Sequence, residues 1–288
     1  MVWPGARSRA PLGRARVAAR AAVAFALRDL AIRVSYRTKL SLGIASTALS
    51  VVAVALVGRV VAAAGPGFAD RYGMSYTTFA LLGAVVHGAA SAGLHAFRAS
   101  VRREQLQGTL EQLLVSGRPA PLLVALSGAG EVLAACAGGA ALALVCSRVA
   151  GVALPVSPPA VAAAALYVAA MCGLGLASAG VVLVSKEGEP VGWAVGALSS
   201  LAGGVYFPVD LLPGWLSTLS RALPTTHALS AVRAAVLASE PGPAPCGTAA
   251  AAPLGALALS ALLLVALGVL VLRWGFARAR RLGTLAEY

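Results

Sequence analysis

REQLQGTLEQLL, residues 103–114, is a charged, helix-forming stretch between two long apolar runs of the chain. Thr109 followed by Gln112 fits a capping box, and Glu111 would lie in the first turn, where the helix dipole favours an anion. The four leucines share one face, and Gly117 and Pro119 then provide a stop. The pattern predicts a short amphipathic helix, and it leaves open a solvated connecting loop with incidental helicity.

The composition of the whole chain places this stretch in a membrane protein. Of 288 residues, 59% are hydrophobic and 11% are charged, which is too little charge to coat a soluble domain of this size. A helix of roughly 20 apolar residues crosses about 30 Å of hydrocarbon. The apolar runs therefore predict six transmembrane helices, at about 41–64, 76–97, 120–147, 160–184, 191–207 and 254–272. Because the runs are continuous rather than alternating, they exclude a transmembrane barrel.

The distribution of basic residues predicts the orientation. Eighteen Lys and Arg residues lie on the side that holds both termini, and five lie on the other side. Since cytoplasmic loops are enriched in Lys and Arg, we expect both termini and residues 103–114 to be cytoplasmic. The net charge of +13 then reflects topology. No basic surface with base-stacking aromatics is visible, so no nucleic-acid partner is predicted.

Three regions follow from these patterns. Residues 1–40 form a basic cytoplasmic tail followed, from about Val17, by a helix on the membrane surface whose apolar stripe is Val23, Leu27, Leu30 and Val34. A disordered basic tail is the alternative for this region. Residues 41–273 form the transmembrane domain, and residues 274–288 form a second cytoplasmic tail.

Few polar residues within the predicted spans suggest chemistry. Glu131 lies about twelve residues into the third span, where a charged side chain costs on the order of 3 kcal/mol. We interpret it as supporting transport or helix packing, and a protonated Glu131 bonded to a neighbouring helix fits equally well. His87 and His95 share a face of the second span but lack a third ligand, and the four cysteines have no CxxC spacing. No metal site is therefore predicted.

The segment at about 208–240, after the fifth span, is too apolar for an ordinary loop. Pro213 suits the first turn of one short helix, and Thr225 or Thr226 can cap another. The second helix would have an apolar face formed by Leu229, Val232 and Val236. Two outer or re-entrant helices would bury such faces, because backbone re-enters a bilayer only where protein or water satisfies it.

Three separated motifs of the chain occur together in one family. They are Glu104-Gln-Leu-Gln-Gly-Thr-Leu-Glu-Gln-Leu-Leu114; Gly204-Val-Tyr-Phe-Pro-Val209 with Leu212-Pro213 and Leu223-Pro-Thr-Thr-His227; and Gly283-Thr-Leu. With them the sequence resembles the ABC-2 permeases, the membrane subunits of ABC exporters. The resemblance implies an all-α polytopic membrane protein with an N-terminal interfacial helix, six transmembrane helices and short re-entrant or outer helices before the last span. One departure is Ser116-Gly-Arg-Pro119, where family members often have Ser-Pro.

The resemblance also implies roles for particular residues. A coupling helix, here at about 104–117, would seat in a groove of a separate ATPase through Glu104, Gln105, Leu106, Gly108, Thr109, Leu110, Glu111, Leu113 and Leu114. The outer re-entrant segment would contain Tyr206, Phe207, Pro208, Pro213, Pro224 and His227. The implied partners are an ABC ATPase subunit in two copies, a second permease copy as a homodimer or a paralogous permease, and membrane lipids.

The 288 residues contain no Gly-Lys pair, and therefore no P-loop. We expect a permease that is not itself an enzyme and binds no cofactor, with ATP and Mg on the partner subunit. It would export a lipid-like or hydrophobic molecule across a bacterial or archaeal plasma membrane, since aromatic residues are only 6% of the chain. The alternative is an ion- or proton-coupled secondary carrier that uses Glu131, although such carriers often show internal repeats and none is visible.

Overall fold

The computed structural model of the protein describes residues 37–65, 67–106, 120–149, 157–185, 190–238 and 251–282. All regular structure in these ranges is helical. Its elements are α1 (Arg37–Ala63), α2 (Gly67–Tyr72), α3 (Tyr76–Leu106), α4 (Ala120–Val149), α5 (Pro158–Ser185), α6 (Pro190–Ala202), a 3-10 turn (Val209–Leu211), α7 (Gly214–Ala222), α8 (Pro224–Leu237) and α9 (Ala251–Leu282). The predicted interfacial helix, and the predicted coupling helix beyond Leu106, lie outside the described residues.

Four helices in the described ranges are long and apolar enough to cross a membrane. They are α3, α5, the segment Leu122–Cys146 of α4 and the segment Leu254–Arg281 of α9. Shorter apolar segments occupy Val52–Ala63 of α1 and Gly192–Ala202 of α6. An all-helical, multi-pass membrane protein is thus confirmed, whereas the count of six spans stays a prediction.

The contacts between helices define two ends of the bundle. α5 and α9 run parallel, because Gly173 lies against Gly268 and Gly180 against Gly275. α3 runs parallel to α5, because His87 bonds to Tyr167 and Gly93 lies against Gly175. α4 runs antiparallel to α3, because Phe97 lies against Gly128 and Val85 against Gly139. We call the end where α3 and α9 finish the basic end, because it carries Arg98, Arg102, Arg103, Arg273, Arg278, Arg280 and Arg281. The opposite end, covered by α2, the 3-10 turn, α7 and α8, is the capped end.

Glycines bring α5 and α9 into backbone contact. Gly173 and Gly180 of α5 are seven residues apart, as are Gly268 and Gly275 of α9. A Cβ added at Gly268 would lie 2.1 Å from the carbonyl oxygen of Gly173, and one at Gly275 would lie 2.3 Å from that of Gly180. Small residues allow such packing in lipid, where helices gain no hydrophobic driving force from meeting. The contact between α5 and α9 is therefore closed to larger side chains.

Two helices extend beyond the apolar runs that predicted them. α3 ends at Leu106 rather than residue 97, and α9 ends at Leu282 rather than residue 272. Charged residues lower the hydropathy there, but Arg, Glu, Gln and Leu are good helix formers, so the helix continues. Residues 104–106, predicted to begin a separate coupling helix, form the last turn of α3, and residues 274–282, predicted as a tail, belong to α9.

The fifth predicted span is shorter as a helix than expected. α6 ends at Ala202, five residues before the predicted limit. Gly204 has a φ of 76°, a left-handed conformation that glycine adopts without steric cost. The helix cannot continue through this residue, so the chain turns through residues 203–208 toward the 3-10 turn.

The predicted starts of the last two short helices are wrong, although both helices exist. Pro213 precedes α7 as its N-cap residue, and Leu223 is the N-cap of α8 with Pro224 at the first position. Proline at that position is already in the helical conformation and has no N–H to satisfy. The predicted apolar face of α8 is confirmed, because Leu229, Val232 and Val236 are buried in the core.

Candidate functional site

The last turn of α3 carries the only part of the predicted coupling helix within the described residues. Glu104 and Gln105 are buried, whereas the Leu106 side chain is 68% exposed. The buried Oε1 of Gln105 accepts no hydrogen bond from the part of the chain that the structure describes. Residues 107–119, which contain Gly108 through Leu114, lie outside that part, so their docking to an ATPase stays a prediction.

Glu131 of α4 forms an ion pair with Arg103 of α3. Arg103 Nη2 donates to Glu131 Oε1 at 2.5 Å, and the two side chains are 34% and 21% exposed. Helical side chains lean toward the N-terminus of their own helix, so in an antiparallel pair these two lean toward each other. The polar partner expected for Glu131 is therefore a basic residue near the end of the preceding helix.

Two further contacts join α3 and α4 beside this ion pair. The hydroxyls of Ser100 and Ser127 are hydrogen-bonded to each other and buried, and Ser127 Oγ also lies 3.0 Å from the carbonyl oxygen of Val124. Phe97 packs on Gly128, where an added Cβ would lie 2.4 Å from the Phe97 ring. The two helices that flank residues 107–119 are thus joined by three contacts between residues 97–103 of α3 and 127–131 of α4.

Arg233 of α8 organises the capped end. Its Nη1 donates to the carbonyl oxygen of Gly204 at 2.9 Å, and its Nη2 donates to those of Val205 and Phe79 at 3.1 Å each. The guanidinium carbon lies 3.3 Å from the centroid of the Phe79 ring. One side chain therefore satisfies three carbonyls from two segments and ties the turn after α6 to α3 and α8.

A chain of hydrogen bonds crosses the core from α3 through α5 to α8. Tyr167 Oη donates to Thr225 Oγ1 at 2.9 Å, and it lies 2.9 Å from His87 Nδ1. Because the single hydroxyl proton of Tyr167 is used on Thr225, Nδ1 of His87 is the donor to Tyr167. Thr225 is therefore an internal hydrogen-bond partner rather than the helix cap that its position suggested.

Asp210 in the 3-10 turn holds α2 at the surface of the capped end. Arg71 Nη2 and Tyr72 Oη each donate to Asp210 Oδ2 at 2.7 Å. Burial, together with the hydrogen bond to Asp210 and its negative charge, raises the pKa of Tyr72 to about 12. The phenol therefore stays protonated, and stays a donor, throughout the physiological range.

The predicted outer residues surround this end but do not form one cluster. Tyr206 and Phe207 are exposed, and Pro208 is buried. His227 Nε2 donates to the carbonyl oxygen of Arg221 at 2.8 Å, which links α8 to the end of α7. Other elements are connected here by Arg233, Asp210, Tyr167 and Thr225. The sequence interpretation missed this role of these four residues. Only Arg233 carried a usable signal, as a basic residue in an otherwise apolar helix.

The described residues contain no group of three or more His, Cys, Asp or Glu side chains that could hold a metal ion. His87 bonds to Tyr167, and His95, two helical turns further on, is exposed. The polar side chains described above connect and pack helices.

The sequence model of the ABC-2 type transporter family matches residues 24–237, which is most of the chain. No curated protein matches the chain significantly.

Proposed function

The chain belongs to the ABC-2 type transporter family, and we propose that it is the permease subunit of an ATP-driven exporter. Members of this family are transmembrane components rather than catalytic ATPases, and they typically work with an ATPase subunit. A separate ATPase, in two copies, would hydrolyse ATP with Mg. This chain would supply the path, together with a second copy of itself or a paralogous permease.

The family match over residues 24–237 carries the proposal. It spans the segment between α3 and α4, where a force from a cytoplasmic partner would enter. The thirteen residues 107–119 begin directly after a continuous helix of 31 residues, α3, and lead directly into α4. A displacement of this segment would therefore act directly on the ends of two long helices.

The proposed location is a bacterial or archaeal plasma membrane with both termini in the cytoplasm. The excess of basic residues on that side supports the orientation. The proposed cargo is lipid-like or hydrophobic, because the chain has few aromatic residues with which a path could bind sugar rings.

A secondary carrier driven by protons or ions is the second candidate, and two observations argue against it. The family match points to ATP-driven transport. In addition, Glu131, the acid that such a mechanism would use, is paired with Arg103 at 2.5 Å. The Glu131 carboxylate is thus already engaged in a contact between two neighbouring helices.

Reconstitution separates the two candidates. The chain would be purified with a candidate ABC ATPase from the same genome and placed in vesicles with a fluorescent short-chain phospholipid as the probe. We expect phospholipid movement that requires ATP and is lost with an ATPase variant that cannot hydrolyse it. Movement driven by a proton gradient in vesicles that hold the chain alone would instead establish the secondary carrier.

A charge reversal tests the coupling segment directly. Glu111→Lys would place a positive charge in the first turn of the predicted coupling helix, where the helix dipole disfavours it. We expect weaker co-purification of the ATPase and a loss of phospholipid movement, with normal membrane insertion. Glu187→Lys, the same reversal in the other predicted cytoplasmic turn, is the matched control. Normal transport in Glu111→Lys would contradict the coupling role.

A further inference from the structure

Three contacts between α3 and α4 are concentrated in the two helical turns that precede residues 107–119. Phe97 packs on Gly128, Ser100 bonds to Ser127, and Arg103 pairs with Glu131. Arg103 lies three residues before the end of α3, and Glu131 lies eleven residues after the start of α4, so their side chains reach toward each other along the two helices. Separation or sliding of the two helix ends would therefore break the bond between Ser100 and Ser127 and the pair of Arg103 with Glu131.

The ion pair is the strongest constraint of the three. Glu131 is mostly covered and lies within the apolar segment Leu122–Cys146. A carboxylate in such a position is strongly unfavourable without a partner, and Arg103 supplies its partner at 2.5 Å. The pair thus fixes the register of α3 on α4 by joining one residue of each helix.

The other faces of these helix ends meet α5 and α9 through apolar side chains. Phe97 and Val101 of α3 and Val124 and Val132 of α4 belong to one cluster with Leu176, Ala179, Leu183, Leu272 and Phe276. Apolar contacts have no preferred direction and tolerate a small displacement better than an ion pair does. α3 and α4 are therefore joined to each other by an ion pair of fixed geometry, and they contact α5 and α9 through an apolar surface.

We propose that Arg103 and Glu131 are positioning residues that make α3 and α4 one rigid hairpin, so that a push on residues 107–119 moves both helices together. The inference rests on the proposed function, because it assigns the residues that transmit the push. Neither residue belongs to the predicted docking surface. Their role is to convert displacement of a short segment into movement of two transmembrane helices rather than bending of one.

Neutralising either partner tests this role. In the reconstituted transporter, we expect Glu131→Gln and Arg103→Gln to bind the ATPase and to hydrolyse ATP within about twofold of the parent, while phospholipid moved per ATP falls tenfold or more. The double variant Arg103→Glu with Glu131→Arg restores the pair with reversed charges, and we expect it to recover at least a third of the parent ratio. Arg278→Gln, which removes an exposed charge from the basic end, is the control.

Normalising to folded protein separates positioning from a merely structural role. If the pair serves stability alone, the single variants yield less folded protein but move as much phospholipid per ATP and per folded molecule as the parent, and the proposal is overturned. It is also overturned if the charge-reversed double variant is no better than the single variants. Absence of ATP-driven movement in the parent would instead refute the proposed function, so the two failures are distinguishable.

A reversible cross-link tests the rigidity itself. Ser100→Cys with Ser127→Cys, in a background whose native cysteines are replaced by alanine, places two thiols where two hydroxyls are in contact. We expect a disulfide to form on oxidation and phospholipid movement to continue unchanged, because the helices do not need to separate. Loss of movement on oxidation with recovery on reduction would show that the hairpin opens, and failure of the disulfide to form would contradict the packing; either result overturns the proposal.

Discussion

At the capped end of the bundle, hydrogen bonds join residues that lie far apart in the sequence, whereas the polar contacts between α3 and α4 at the basic end join two helices that are neighbours in the sequence. The bonds of Arg71 to Asp210 and of Arg233 to Phe79 span 139 and 154 residues. At the basic end, Ser100 and Ser127 are 27 residues apart, and Arg103 and Glu131 are 28 apart. The capped end thus fastens α2, α3, α5, the 3-10 turn and α8 to one another, while the basic end fastens α3 to α4.

The chemistry of the contacts differs in the same way. The carbonyls bound by Arg233 have fixed directions, and the hydroxyl of Tyr167 has a single proton to donate. Such bonds weaken steeply when the geometry changes. The hairpin of α3 and α4 instead rests on α5 and α9 through an apolar cluster. Under the proposed mechanism, the capped end would stay fixed and the basic end would move.

Removing Arg233 should give the largest loss of stability. Arg233→Met leaves three carbonyls without their donor in a mostly buried site, and we expect it to lower the free energy of unfolding by about 3 kcal/mol. The stability of Arg233→Lys should lie between those of the parent and of Arg233→Met, because one ammonium group cannot reach all three carbonyls in the same geometry. The measurement is the thermal unfolding midpoint in detergent.

Arg221→Met provides the matched control for this prediction. Arg221 is exposed at the end of α7, so its loss should shift the midpoint little. If Arg233→Met unfolded at the same temperature as Arg221→Met, the capped end would not depend on this residue. A loss of stability in Glu131→Gln equal to that in Arg233→Met would also remove the contrast between the two ends.

Breaking the hydrogen-bond chain in the core should have an intermediate effect. Thr225→Val keeps the shape of the side chain but leaves the buried Tyr167 hydroxyl without its acceptor, so we expect a loss of about 1–2 kcal/mol. Adding Tyr167→Phe removes the orphaned hydroxyl, and the double variant should therefore be less destabilised than the sum of the single variants. Thr218→Val, at an exposed threonine of α7, is the control. Additive losses would show that the two hydroxyls do not act together.

The sequence predicted where the four long apolar helices lie, because the length and hydropathy of an apolar run can be read from consecutive residues. It did not predict that α3 and α9 continue as helices through Arg-rich turns. Hydropathy indicates which residues lie in the membrane, but it does not indicate where the helix ends. Glu131 stood out by its depth, but its partner Arg103 depends on the register of the antiparallel hairpin, which no local pattern specifies. Tyr167 and Thr225 meet across 58 residues, and neither has a sequence neighbour that hints at the other.

The tether between α2 and the 3-10 turn should contribute least, because it is exposed. We expect Tyr72→Phe to cost less than about 1 kcal/mol near neutral pH, as one of two donors to Asp210 is lost at a solvated site.

The pKa of Tyr72 is raised from 10.0 to about 12, so the folded state holds the phenolic proton more tightly than the unfolded state. Its contribution is therefore complete below pH 10 and is lost as the pH rises toward 12. The gap between the unfolding midpoints of the parent and of Tyr72→Phe should therefore be smaller at pH 10.5 than at pH 8. Tyr206→Phe, at an exposed tyrosine on the same end, corrects for general tyrosine titration. A gap that stays constant over this range would show that the hydrogen bond to Asp210 does not set the pKa of Tyr72.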